Sequence, residues 1–285
     1  MAVKPDEKTT GNKQTGQKTQ RPKRAGVKAM GAKSGLSAKP KGEKPAHTLM
    51  ARDLEKIYRS RTVVNGIDLD VASGEVVGLL GPNGAGKTTT FYMIAGVVPP
   101  NNGEVFLDGE PISHLPLHLR AKKGLGYLPQ ERSVFRRLTV EENLMAVLEQ
   151  LDISEEEMHL RMEAGLEDLG LVQIRHSLGF QLSGGEARRV EIARALVMAP
   201  AFILLDEPFA GVDPIAVLDI QEVIKKIKEK GIGILITDHN VRETLGITDR
   251  AYIVSEGKIL VQGNPDELVH NEIARKIYLG EQFSL

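Results

Sequence analysis

The chain has 285 residues and a formal net charge of −1, enough for one large or two ordinary domains with a full-sized core. It contains no Cys and no Trp, which excludes disulfides, thiolate metal sites and iron–sulfur clusters. No apolar run approaches the ~18 residues of a membrane span, so a membrane role must be peripheral.

The near-neutral total conceals an asymmetry. Residues 1–47 hold ten Lys and two Arg against Asp6, Glu7 and Glu43, a net of +9, which leaves −10 for the remainder. The segment has no Ile, Phe, Tyr or Trp. So little apolar surface cannot offset chain entropy, and a disordered basic tail is predicted. It has no apolar h-region, so no secretory signal is expected. Two readings stand for it: a solvated extension, or a basic arm for anionic lipid headgroups. Without aromatics to stack bases, no nucleic-acid partner is expected.

From residue 48 the pattern becomes globular. Ile67, Leu69 and Val71 alternate with Asp68 and Asp70, as in a half-buried strand. Ser73-Gly74 then turns the chain into an apolar run at 75–80. Residues 81–89 follow as Gly81, Pro82, Asn83, Gly84, Ala85, Gly86, Lys87, Thr88 and Thr89, the phosphate-cradling pattern G-x-x-x-x-G-K-[ST]. Its glycines let the backbone fold tightly and aim N–H groups at polyphosphate oxygens. Lys87 brings a point charge to the β- and γ-phosphates, and the Thr88 hydroxyl is placed to ligate Mg²⁺. A helix beginning here adds its positive end to the anion site. A nucleoside triphosphate and Mg²⁺ are the predicted ligands.

Further on, 103–109 reads as a short strand between turns, and 125–128 as a strand ended by Pro129. Thr139 with Glu142, and Ser154 with Glu157, have capping-box spacing and open a helical block. Ser183 and Glu186 repeat that spacing within Leu182-Ser183-Gly184-Gly185-Glu186. A cap does not need two glycines; they suit close approach of a γ-phosphate to a helix N-terminus. The apolar run Phe202–Leu205 fits a central parallel strand buried on both faces. Asp206 at its carboxyl end can hold the Mg²⁺ shell, and Glu207 can orient or deprotonate an attacking water. Asp213-Pro214 reads as N-cap and first residue of a helix to Lys230. A strand at 232–237, a hairpin through Glu256-Gly257 and helix from Pro265 complete the chain. Together these elements predict an α/β domain carrying an α-helical insertion.

The Leu-Ser-Gly-Gly-Glu run, lying between the phosphate loop and Asp206-Glu207 in a cassette of motifs, resembles the signature of ATP-binding cassette (ABC) ATPases. Other marks of that family stand in matching order. They are Tyr58 for the adenine-stacking aromatic, Gln130 for the Q-loop, Ala210-Gly211-Val212-Asp213 for the D-loop, and His239 for the switch histidine. Taken singly, Tyr58, Gln130 and His239 have plain structural readings; their order and spacing favour the functional one. Asp238 is read as a surface residue. The resemblance covers residues 48–285 and implies a P-loop NTPase fold of ABC type. Its parts would be an antiparallel β-subdomain, an α-helical subdomain over about 132–198 and a C-terminal helical extension over about 264–285.

Several runs are similar to ATPase subunits of lipopolysaccharide export transporters: 126–131, 135–138, 207–214, 236–244 and the ending Tyr-Leu-Gly-Glu-Gln-Phe-Ser-Leu. Branched-chain amino-acid importer ATPases share the Ala-Gly motif and the Tyr-Leu-Gly-Glu run, and remain an alternative, as does a soluble cassette ATPase outside transport. The resemblance implies ATP with its adenine on Tyr58 and its phosphates on the 81–89 loop. It implies Mg²⁺ on Thr88, Gln130 and Asp206, and catalysis by Glu207, His239 and Lys87. Ser183, Gly184, Gly185, Glu186 and Asp213 would complete the site of a second copy, in a homodimer that clamps two ATP. Two integral-membrane subunits would hold that dimer peripherally at the cytoplasmic face of the inner membrane. Phe135, beside Arg136, has two readings: packing under the helical insertion, or anchoring a membrane partner's helix.

Overall fold

Apolar residues at alternate positions draw β1 (Thr48–Tyr58) and β2 (Arg61–Ala72) into an antiparallel hairpin, with Ile67, Leu69 and Val71 inward. The structure, a computed structural model, describes residues 46–280 and 283; the basic tail, apart from residues 46 and 47, lies outside them. Next in chain order come β3 (Val76–Leu80), α1 (Lys87–Ala95), β4 (Asn102–Leu107), β5 (Glu110–Pro111), α2 (Leu117–Lys122) and β6 (Leu125–Leu128). The helical block is α3 (Val140–Leu148), α4 (Glu155–Asp168) and α5 (Gly184–Leu196). It is followed by β7 (Phe202–Asp206), α6 (Pro214–Glu229), β8 (Gly233–Thr237), α7 (Val241–Leu245), β9 (Arg250–Ser255), β10 (Lys258–Gly263), α8 (Pro265–His270) and α9 (Glu272–Ala274).

Two sheets result. One is antiparallel, in the order β2-β1-β4-β5; the other has six strands, in the order β10-β9-β3-β8-β7-β6. In the second, β9, β3, β8, β7 and β6 run parallel and only β10 is antiparallel. Residues of β3, β7 and β8 are buried throughout, as a parallel sheet covered on both faces requires. Successive side chains therefore serve two different cores. Val76, Ile203, Leu205, Ile234 and Ile236 pack with the α3–α6 side. Val77, Leu79, Leu204 and Leu235 pack with α1 and the antiparallel sheet. Each such Leu or Ile contributes about 1.5–3 kcal/mol on burial.

Thr139 and Glu142 form the reciprocal cap expected at α3. Ser154 accepts from the Glu157 N–H at the start of α4, 3.2 Å away. The C-terminal helix expected from Pro265 begins with its own capping box, Asn264 with Glu267. It breaks at Asn271, which has extended backbone, and resumes as α9 and a single π-turn, Arg275–Leu279. Those short pieces seat Leu268, Ala274 and Leu279 on Leu80, Leu245 and Ile253. Among the described residues no helix is long and apolar enough to cross a membrane.

Strand β1 and helices α2 and α7 were not foreseen. α2 is held by Arg120, which is fully buried without a carboxylate partner. Its guanidinium donates to four carbonyls, those of Met93 and Ile94 at the end of α1 (2.7 and 2.6 Å), Leu115 (2.8 Å) and Ser113 (2.9 Å). A cation there complements the carbonyl end of α1.

Candidate functional site

The carboxyl ends of β3, β7 and β8 deliver the phosphate loop, Asp206-Glu207 and Asp238-His239 to one end of the sheet. Two glycines of the loop are fixed by its surroundings. Gly81 has φ +147°, and a Cβ there would lie 2.0 Å from the Val254 carbonyl in β9. Gly86 has φ +106°, and its Cβ would lie 2.7 Å from the Val63 carbonyl. The Lys87 ammonium lies back over the loop, donating to the carbonyls of Gly81 (2.7 Å) and Pro82 (3.0 Å). Burial holds it below its usual pKa, against the pull of the Glu207 carboxylate. Thr88 is exposed in the first turn of α1, next to Thr89.

Asp206 is buried at the end of β7. Burial first, and the Glu207 charge second, push its pKa up to about 6. The Tyr127 hydroxyl donates to it over 3.5 Å. Glu207 follows with φ +45°, and its N–H donates to the Thr237 carbonyl at 2.7 Å. Gln130 Nε2 donates to Glu207 Oε2 at 2.7 Å, and His239 Nδ1 stands 3.4 Å from that oxygen. Gln130, Glu207 and His239, far apart in sequence, thus meet. Thr88, Gln130 and Asp206 offer only oxygen ligands, the hard donor set that suits Mg²⁺. Among the described residues no three His, Cys, Asp or Glu cluster as a metal cage.

Ser183 caps α5 reciprocally with Glu186, whose carboxyl is held below its usual range by the Ser183 hydroxyl. Gly185 has a packing reason too, since a Cβ there would come within 2.9 Å of the Ala216 Cβ on α6. Gly184 lies beside the Arg132 guanidinium. Asp213 Oδ1 accepts from the N–H groups of Ile215 (3.1 Å) and Ala216 (3.0 Å) as N-cap of α6. Tyr58 is exposed at the end of β1, with the Lys56 ammonium 5.4 Å from its ring centroid. A cleft lined by Val63, Asn83, Gly84 and Glu256 opens beside the phosphate loop.

Phe135 is 44% exposed, and the guanidinium of Arg194, on α5, lies 4.3 Å from its ring centroid. Arg136 is exposed beside it. The reading of Asp238 as a surface residue is overturned. Its side chain is fully buried, accepting from the N–H of Phe209 (2.9 Å) and of Asn240 (2.8 Å). That burial raises its pKa. Sequence reasoning also passed over Arg188 and Glu191 on α5. Arg188 bonds Glu191 (3.0 Å) and the carbonyls of Pro129 (2.9 Å) and Asp206 (3.3 Å), while Glu191 accepts from the Ser133 N–H. The helix that begins with the signature therefore grips both ends of the Gln130 segment. Opposite charges three apart within an otherwise well-buried helix were the available signal.

Residues 64–210 match the family model described as "ABC transporter". The lipopolysaccharide export system ATP-binding protein LptB of Acidithiobacillus ferridurans is 58% identical over 237 residues, 83% of this chain and 98% of that protein. Among solved structures, an ATP-binding cassette of an ABC transporter in its ADP conformation is 27% identical with TM-score 0.74, covering 82% of this chain and 99% of its own. A dimeric post-hydrolysis cassette bound to ADP and Pi is 25% identical with TM-score 0.67, covering 76% and 98%. A family match across more than half of the chain, with a relative aligned over almost its whole length, makes this chain a member of the ABC transporter family, an ATP-binding and ATP-hydrolysing subunit.

Proposed function

We propose that this subunit powers lipopolysaccharide export, working as a homodimer with two integral-membrane subunits at the cytoplasmic face of the inner membrane. The observation that carries the hydrolytic part is the meeting of Gln130, Glu207 and His239 beside the Lys87 loop. The substrate is supported by the full-length likeness to the lipopolysaccharide export protein, and the dimer by the dimeric ADP-bound cassette. Residues 48–285 form the ATPase domain in this reading, with 132–198 as its helical subdomain.

The adenine rests on Tyr58. The N–H groups of Gly81, Asn83, Gly84, Ala85 and Gly86, in a loop bent at Pro82, hold the phosphates together with Lys87, Thr88 and Thr89 at the start of α1. On ATP arrival Lys87 exchanges its own loop carbonyls for β- and γ-phosphate oxygens. Thr88, Gln130 and Asp206 would hold Mg²⁺, which would neutralise charge developing on the phosphates. Glu207 takes the proton of the attacking water, and His239 fixes the γ-phosphate in line. Ser183, Gly184, Gly185, Glu186 and Asp213 of each copy close over the other's ATP. Phe135 and Arg136 carry the nucleotide state to the membrane subunits, because the Gln130 segment that touches Glu207 ends at them.

Purification of the tagged chain in mild detergent tests the whole reading. Two integral-membrane subunits are expected to co-purify and, reconstituted with the chain, to extract lipopolysaccharide from vesicles only with ATP. Retention of membrane subunits that move amino acids instead would replace this substrate with the importer alternative. Phe135→Ala tests the coupling surface. Exposed aromatics beside Arg are typical interface hot spots, and losing one weakens binding by about 2 kcal/mol or more, roughly 30-fold. The variant should release the membrane subunits while the free subunit keeps its melting temperature and basal ATPase. Lost stability with partner binding intact would assign Phe135 to packing.

A further inference from the structure

We propose that Asp238 is a positioning residue for hydrolysis, a single buried carboxylate that locks the loop after Glu207 to the loop bearing His239. The inference rests on the roles proposed above for those two residues. One Asp238 oxygen accepts from Phe209 N–H at 2.9 Å, two residues beyond Glu207. The other accepts from Asn240 N–H at 2.8 Å, one residue beyond His239. The two loops leave neighbouring parallel strands, β7 and β8, and nothing in their backbone pairing beyond Asp206–Thr237 fixes one against the other except the Glu207 N–H to Thr237 bond.

Glu207 needs such restraint. Its φ of +45° lies in the left-handed region that side-chain-bearing residues rarely occupy, and such a conformation persists only where neighbours over-determine it. Thr237 holds the residue's own N–H, Asp238 holds the chain two residues on, and Phe209 is itself buried in the core. On the other side, His239 Nδ1 stands 3.5 Å from Asp238 Oδ1 and 3.4 Å from Glu207 Oε2. The imidazole is thus flanked by the carboxylate that positions both loops and the one that activates water. A local Asx turn ahead of α7 explains only the bond to Asn240; the bond from Phe209 crosses between strands and has no part in that turn. A carboxylate suits the place because two N–H donors arrive from two loops and each oxygen takes one. An amide would turn its own NH₂ toward one of them.

Asp238→Asn and Asp238→Thr in the full chain test this, with steady-state ATPase, fluorescent-nucleotide binding and thermal melts. The loops no longer hold Glu207 and His239 in place, so kcat should fall about 10–100-fold. KM and nucleotide affinity should stay unchanged, because the two Asp238 hydrogen bonds go to Phe209 and Asn240 and not to the phosphate loop. In a Glu207→Gln background, adding Asp238→Asn should cause no further loss, as expected for groups acting through one another. The proposal is overturned by unchanged kcat, by losses that multiply in the double variant, or by nucleotide affinity falling in step with kcat. If Asp238→Asn does not fold, Asp238→Thr, whose hydroxyl oxygen still accepts, takes the same readings. Failure of both to fold would assign Asp238 to stability alone and also overturn it. Normal turnover in Glu207→Gln by itself would instead remove the underlying mechanism, so the two failures are distinct.

Discussion

Glu207→Gln should turn over ATP about 10³-fold more slowly than the parent while binding it at least as well. The amide keeps the side chain's length and can still accept from Gln130, which now donates to Glu207 Oε2 at 2.7 Å. What it loses is the base and the charge. That charge raises the pKa of Asp206 and opposes the lowering at Lys87, so its removal makes the pocket more welcoming to a polyphosphate. The variant should therefore accumulate as an ATP-bound dimer, measured by gel filtration and nucleotide occupancy beside the ATPase assay. Lys87→Ala should fail earlier, at nucleotide binding itself, because the loop loses its only cationic side chain. Turnover within a few-fold of the parent in Glu207→Gln would remove this residue from its role.

Arg120→Met should destabilise the protein by about 3 kcal/mol, with a fall in melting temperature of roughly 6–12 °C for a domain of this size. Burial pushes the guanidinium pKa down to about 10, so the group stays a cation at neutral pH, and carbonyls alone solvate it. Methionine fills similar volume but leaves the carbonyls of Met93, Ile94, Ser113 and Leu115 without that donor. Arg120→Lys should recover little, since a point charge cannot reproduce the planar fork. The far end of α1 is the phosphate loop, so saturating ATP should restore part of the loss by mass action. Differential scanning with and without nucleotide reads both effects; an unchanged melting temperature would mean that water takes over the four carbonyls.

Arg120 also marks where reading the sequence stops. The Gly-rich loop, the apolar run into Asp206 and the Ser183 cap were legible because each is a local pattern whose chemistry needs particular residue types at fixed spacing. The doubly buried strands β3, β7 and β8 were legible for the same reason, as continuous apolar runs. Asp238, Arg120 and the Arg188–Glu191 pair were not. In sequence they are charges among other charges, and their partners are mostly backbone N–H and C=O groups, which every residue carries and no sequence marks. The break at Asn271 was hidden likewise, because its helix-compatible neighbours gave no stop signal such as Gly or Pro. Gly185 shows the opposite difficulty. A phosphate-facing role was readable from the motif, whereas its contact with Ala216 depends on how α5 meets α6.

Tyr58 carries an optical consequence. It is exposed at the end of β1, with the Lys56 ammonium over its ring, in a chain of five Tyr and no Trp. Tyr58→Trp would place the molecule's sole indole where the adenine is proposed to rest, excitable at the red edge of the tyrosine band without interference from the rest of the subunit. Any base stacked on that ring would change its emission. Nucleotide arrival and departure could then be followed in real time, in each protomer, against a dark background.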